Sequence, residues 1–362
     1  MTELTKMETG DAGAALFRSL PPLPRRRGVT REIFRAEILP AGEPVVLEGV
    51  VADWPAVAAA REGTRSLAAY LASFDSGRPA ETIFAPPEVD GRFFYTDDLK
   101  GLNFVRQPER IRDVLGGLAA LEADDRPPSV YLQSLPIADH LPGFLAGHPL
   151  PHVPEGVQPR IWIGNRLSVQ THFDLFENIA CVVAGRRRFT LFPPDQLANL
   201  YPGPFEFTLS GPPVSLVRPE AWDRDAFPRF AEALGAGRSA ELGPGDAVFI
   251  PYAWWHHVES LARFNVLVNY WWSETEAIGG SPFDAMLHGL LALRSLPPRQ
   301  RAVWKGFFDH YVFGMNGDPV AHLPTEVQGA LGAHTPAQQR RLRHALLASL
   351  AAGLGLAPPP AD

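Results

Sequence analysis

Two short stretches of this chain hold side chains whose types and spacing suit a metal ion. In Thr171-His172-Phe173-Asp174 an imidazole and a carboxylate stand two positions apart. On a strand, alternate side chains leave the same face, so His172 and Asp174 would project together from Cα atoms about 6.5 Å apart, within chelating reach of one ion. Alone the pattern is weak. With 11 histidines and 40 acidic residues in 362, about one such pair arises by chance, and His257-Val258-Glu259 is a second. What raises it is PGDAVFIPYAWWHHVESL (residues 244–261), where a Pro-Gly-Asp turn leads through a strand and a loop to paired histidines. Alternation places His256 with Val258 and His257 with Glu259, so His256 is the better ligand for an apolar interior. His257 then reads as a rim residue paired with Glu259. Two neutral nitrogens and one carboxylate on an octahedral face leave three positions open, the arrangement of non-haem Fe(II) oxygenases. A structural zinc site would close with four ligands, usually including sulfur. The single cysteine, Cys181, sits in the apolar run IACVV and offers no such partner.

The elements that must position these residues are mainly strands. Pro44–Pro55 is a β-branched run followed by a turn signal, and further short β-rich runs occur at Glu81–Phe84, Arg92–Tyr95, Val130–Gln133, Arg160–Ile163 and Asn178–Val183, with 37 prolines and 32 glycines to turn the chain between them. NIACVVAGRRRFTLF reads as a hairpin about Gly185, and Asp246–Ile250, His256–Leu261 and Phe264–Trp271 continue the pattern. Many short strands favour a sandwich or jelly-roll barrel over a parallel α/β sheet. Ser66–Phe74 has helical spacing. Residues 1–28, with the proline-rich LPPLPRRR, read as an arm with one short helix near Ala14–Ser19, and Arg25–Arg27 as a solvated linker. Beyond Ser273 the periodicity becomes helical: Ser281-Pro282 starts one helix, Val303, Trp304, Phe307, Phe308 and Tyr311 line another, and Thr335-Pro336-Ala337-Gln338 is a capping box. The expected organisation is an arm (1–28), a β-barrel domain (29–275) and a helical region (276–362).

An apolar content of 46% supports a core that needs no disulfide. The net charge of −7 argues against non-specific nucleic-acid binding, which needs a basic face. No segment approaches the roughly 20 apolar residues that span a bilayer, and the start MTELTKMETGDAGAALF has no leader pattern. A cytoplasmic protein with no membrane contact is expected.

Taken in order, PVVLEGVVADWP, VYLQ, THFDLFEN, GRRRFTLFPPDQ, PGDAVFIPYAWWHHVESL and VNYWW resemble the cupin-like branch of the JmjC oxygenases over about Pro44–Trp272, most of all its asparaginyl hydroxylases. The resemblance implies a double-stranded β-helix, Fe(II) as cofactor, and 2-oxoglutarate and O2 as co-substrates. It assigns His172, Asp174 and His256 to the metal, and it places Tyr131, Asn178 and Asn269 around 2-oxoglutarate. The lysine that holds the far carboxylate corresponds to Arg187, and a threonine to Val169. Arginine can bind a carboxylate through two parallel hydrogen bonds, and Arg187 shares strand parity with Phe189 and Leu191, pointing inward. Trp271, two residues from Asn269, is the tryptophan expected at the site; Trp254, Trp255 and Trp272 read as packing. Asp195 and Gln196 read as turn residues, and His152, His310, His322 and His334 as surface. Hydroxylation of a protein or peptide side chain is the expectation, with a small-molecule substrate, or a cupin metalloenzyme without 2-oxoglutarate, as alternatives. Selectivity would reside in loops such as Ser134–Gln158. The C-terminal helices resemble, in position, the dimer-forming helices of related hydroxylases, so a homodimer through Phe283–Tyr311 is expected.

Overall fold

The β-branched and aromatic runs become strands of two facing sheets in the computed structural model, which describes residues 15–209, 211–274, 280–332 and 335–357. In chain order the strands are β1 (Arg25–Arg27), β2 (Val45–Glu48), β3 (Pro79–Ala85), β4 (Val105–Arg110), β5 (Ser129–Pro136), β6 (Arg160–Gly164) and β7 (Leu167–His172). Then come β8 (Glu177–Ala184), β9 (Arg187–Phe192), β10 (Arg238–Leu242), β11 (Ala247–Ile250), β12 (Trp255–Ser260) and β13 (Asn265–Trp272). The larger sheet has the order β1-β2-β11-β8-β13-β6-β5-β3-β4 and the smaller β10-β9-β12-β7. Except for the parallel β1–β2 pair, every pairing between these strands is antiparallel. This is the double-stranded β-helix that the motifs imply.

The core divides by sheet face. Between the sheets, Ala180, Val182, Val248 and Leu267 of the larger meet Phe189, Leu191 and Val258 of the smaller. The outer face of the larger sheet packs Ile179, Cys181, Val183, Phe249, Val266 and Val268 in one cluster with α1 (Pro55–Glu62), α2 (Thr64–Ala72) and α3 (Ile111–Leu121). Burial on both faces explains why β8 is almost continuously apolar. On the outer face of the smaller sheet, Phe192 and Trp255 pack with Phe17, Leu200, Val217, Trp222 and α4 (Phe230–Ala236).

Gly185, at φ +77°, turns β8 into β9. Gly164 lacks a side chain for a different reason: a Cβ there would fall 2.8 Å from both the Tyr131 ring and the Val130 carbonyl, so only glycine lets Tyr131 lie across β6.

Three expectations need correction. Arg25–Arg27 is solvated as expected but is no linker, because it forms β1, with Arg25 and Arg27 both on Glu48 at 2.7 and 2.6 Å. Arg92–Tyr95 is not a strand; it makes only isolated bridges, and Asn103 supplies side-chain bonds to Arg92 and Phe94 in place of a ladder. His152 is buried, with Nε2 2.8 Å from the Val29 carbonyl. His334 and residues 1–14 lie outside the described residues.

The chain divides into two compact units, Met1–Glu274 and Thr275–Asp362. In the second are α5 (Pro282–Leu293), α6 (Pro298–Tyr311) and α7 (Pro336–Gly353), the last opened by the Thr335–Gln338 capping box. Among the described residues no helix is long and apolar enough to cross a membrane.

Candidate metal centre and anion pocket

Strand pairing brings the three candidate ligands together. β7 and β12 are adjacent and antiparallel, with His256 directly opposite His172 and an irregular register before Val258. Asp174 follows two residues after His172, and its backbone carbonyl accepts from Ala253 N at 2.9 Å, which anchors the Pro251–Trp254 turn beside it. One ligand atom each from His172, Asp174 and His256 lies within 4.8 Å of the others. His256 Nε2 is 3.6 Å from Asp174 Oδ2, and the two imidazole centroids are 4.2 Å apart.

Each imidazole is oriented by a carbonyl two residues earlier in the chain. His172 Nδ1 donates to Gln170 O at 2.8 Å, and His256 Nδ1 to Trp254 O at 3.0 Å. A proton fixed on Nδ1 leaves the Nε2 lone pair as the metal-binding atom in both rings. Burial, reinforced by His172, holds His256 well below its usual pKa, so the ring is neutral and able to coordinate. Burial pushes Asp174 upward, and its Oδ2 has no hydrogen-bond partner. Two imidazole nitrogens and a carboxylate oxygen on one side of an open space could hold a divalent first-row metal.

His257 points the other way. It is buried on the outer face of the smaller sheet, edge-on to Phe17 at 5.5 Å, with Nδ1 3.3 Å from Thr171 Oγ1. The expected rim pair with Glu259 does not form, because Glu259 sits directly across from Arg188 and pairs with it at 3.2 Å.

The triad opens on a cavity of about 250 Å3, which is also lined by Tyr131, Asn178, Arg187, Asn269, Trp271 and Val169. The structure therefore brings all eight sequence-predicted site residues to one space. Trp271 stands at its wall, edge-on to Trp162 at 5.2 Å and stacked near Phe176, whereas Trp254, Trp255 and Trp272 are buried in the cores. Arg187 is 1% exposed and is hydrogen-bonded to Tyr131, yet its Nε and Nη2 have no partner among the described residues. No carboxylate pairs with it among the described residues. Burial lowers the Arg187 pKa, with Tyr131 opposing that shift. Asn178 Oδ1, Asn269 Oδ1 and Trp271 Nε1 are likewise buried without partners. A buried guanidinium with unused donors is costly unless a ligand completes it. The donor set fits a molecule carrying an anionic group toward Arg187 and chelating atoms toward the triad.

Sequence reasoning misses the walls. Of Ser134–Gln158, where selectivity is expected to reside, Ser134 lines the cavity, while beyond it the segment buries Ile137, Leu141, Phe144, Leu150 and Val153 in the core outside the larger sheet. The segments that reach the site are residues 92–106 and, among the described residues, 203–209 and 211–217. Tyr95 donates to Phe207 O at 2.8 Å and Arg106 to Leu209 O at 2.7 Å. Ser215 N donates to Thr171 O at 2.7 Å, and the Gln170 amide donates to Ser215 O and Val217 O. Gln170 carries a faint signal, being an amide between Val169 and Thr171, two residues before His172.

A Cupin-like domain profile matches residues 30–278. The chain is 32% identical over 167 residues to the Arabidopsis thaliana "Lysine-specific demethylase JMJ31", a match covering 41% of this chain and 29% of that protein. It is 36% identical over 121 residues to human "HSPB1-associated protein 1", covering 32% and 24%. It is 28% identical over 273 residues to mouse "tRNA wybutosine-synthesizing protein 5", covering 69% and 78%. The matches thus span less than a third of the first two relatives and more than three quarters of the third.

Proposed function

The chain belongs to the cupin-like domain family, and from that premise we propose that it is an Fe(II)- and 2-oxoglutarate-dependent oxygenase that hydroxylates a protein or peptide side chain. The observation that carries this reading is the buried Arg187, with two donor nitrogens unused, in the same cavity as His172, Asp174 and His256. Iron(II) with 2-oxoglutarate would supply the oxidising chemistry, one atom of O2 entering a C–H bond and the other entering succinate as CO2 is lost.

The protein's share is to bind, orient and exclude water. His172, Asp174 and His256 would hold the metal through two Nε2 atoms and one carboxylate oxygen. Arg187 would take the far carboxylate of 2-oxoglutarate, with Tyr131 fixing the guanidinium in place. Asn178, Asn269 and Trp271 offer polar atoms along the cavity between these ends. Val169 brings no hydroxyl, so at that position the pocket wall contributes shape alone.

Anaerobic titration of the Fe(II)-loaded protein with 2-oxoglutarate tests the reading. A visible charge-transfer band that grows to saturation is expected, and His172→Ala or Asp174→Ala should abolish it. No band together with no affinity for 2-oxoglutarate would leave a cupin metalloenzyme of another kind.

A further inference from the structure

Beside His172, and sharing a wall with the main cavity, lies a small, largely apolar annexe. The annexe measures about 30 Å3 and is walled by Ile83, Phe93, Phe104, Leu209 and Val214, with Gln170, whose amide is held by Ser215 and Val217. It shares Tyr131, Gln133, Val169 and His172 with the larger cavity, so whatever occupies it lies against one of the three candidate ligands, His172. This is room for about two methyl-sized groups. Its walls are held firmly: Phe93 stacks on Tyr131 at 5.9 Å and meets Phe104 edge-on at 5.3 Å. Val214 precedes the Ser215 tied to Thr171, and Leu209 is tied to Arg106.

Building on the oxygenase reading above, we propose that the group oxidised here is an uncharged aliphatic side chain carried on an amide backbone, with its alkyl end in this annexe. Charge excludes the obvious competitor. Among the described residues lining the cavity and annexe, Asp174 is the sole carboxylate, while Arg106 and Arg187 are cations. A methylated ammonium would find no counter-ion there. Nor is the Phe104 ring free to receive it, since Arg106 already lies 5.4 Å from its centroid. Gln133 supplies the complementary polar element. Its side chain stands at the junction of the two spaces and makes no hydrogen bond among the described residues, leaving a donor and an acceptor that match a peptide amide.

The test uses the full chain loaded with Mn(II) and 2-oxoglutarate, and four probes: the N-acetyl amides of leucine, valine, asparagine and Nε-trimethyl-lysine. Binding is read from paramagnetic broadening of each probe's own protons. The leucine and valine amides should bind about 5-fold or more tighter than the other two, the effect of one or two buried CH2 groups. Leu209→Gln should remove that preference, and the near-isosteric Val214→Thr should reduce it even if the larger change impairs folding. Equal or tighter binding of the trimethyl-lysine or asparagine amide would overturn the proposal. So would the absence of any broadening at about 20 mM probe, a concentration that detects even millimolar affinity, in protein that still binds Mn(II) and 2-oxoglutarate. Failure of the oxygenase reading would show separately, as loss of 2-oxoglutarate binding itself.

Discussion

At the scale of single residues, Arg187 carries the greatest chemical tension, since among the described residues a buried cation has only a phenol as partner. Hydrogen bonds to charged groups contribute about 1.5–3 kcal/mol each. Arg187→Met should therefore weaken 2-oxoglutarate binding by about 100-fold or more while Mn(II) affinity holds, as read by calorimetric titration. His256 and His257 should separate as cleanly. His256→Ala is expected to lose metal binding, whereas His257→Ala should keep it and lower stability by about 1–3 kcal/mol through lost packing against Phe17; metal titration and urea denaturation distinguish them. Period-two alternation makes these faces legible in the sequence, putting His256 and Arg187 inward and Arg188 outward. It does not show what lies behind a strand. Glu259 shares a face with His257, but the residue directly across the ladder is closer than one two places along, and there stands Arg188.

Elements are legible where their signals are local. The β8–β9 turn at Gly185, the β13 run and the Thr335 capping box all declare themselves within a few residues. Arg92–Tyr95 misleads because its β-rich composition is outweighed by Asn103, whose side chain bonds the backbone from eleven and nine residues away. The walls contributed by residues 203–209 and 211–217 are illegible for a related reason: they depend on Gln170 capturing carbonyls more than forty residues downstream. Gln170→Leu would leave those carbonyls unpaired at about 1–3 kcal/mol each. Hydrogen exchange of residues 203–217 should rise markedly, with Mn(II) affinity unchanged. His148 offers a second test between elements. Its Nε2 accepts from Ala56 N at the start of α1, its Nδ1 donates to Phe144 O, and its ring stacks on Phe144 at 3.8 Å. Burial lowers its pKa, so the unfolded chain takes up the proton first, near pH 6.5. Stability from this residue is present above that pH and is lost as pH falls through it. Urea midpoints at pH 7.5 and 5.5 should fall more steeply for the native protein than for His148→Phe, which begins lower but cannot titrate.

For the whole molecule, the C-terminal unit poses a question of cover. α5 and α6 contain no buried residue, yet Leu287, Leu290, Leu291, Trp304, Phe307 and Tyr311 are exposed. The helical period makes these apolar faces visible in the sequence; what covers them is not a property of periodicity. We propose that a second copy does so, since large apolar side chains exposed along the faces of two helices suit an interface and homodimers are its commonest form. Light scattering should give twice the 39.6 kDa chain mass, and Leu290→Glu with Phe307→Glu should return the single-chain value. A strictly monomeric native protein would refute the dimer. The two clamped imidazoles carry a consequence for how such a molecule can change over time. Their acceptors, the carbonyls of Gln170 and Trp254, belong to the main chain, and every residue type possesses one. No replacement at either position deletes the acceptor. The aim of the ligands is thus stored in the path of the main chain, a strand for Gln170 and a turn for Trp254, while side chains such as Leu209 and Val214, in the wall beside them, are free to drift toward a different substrate.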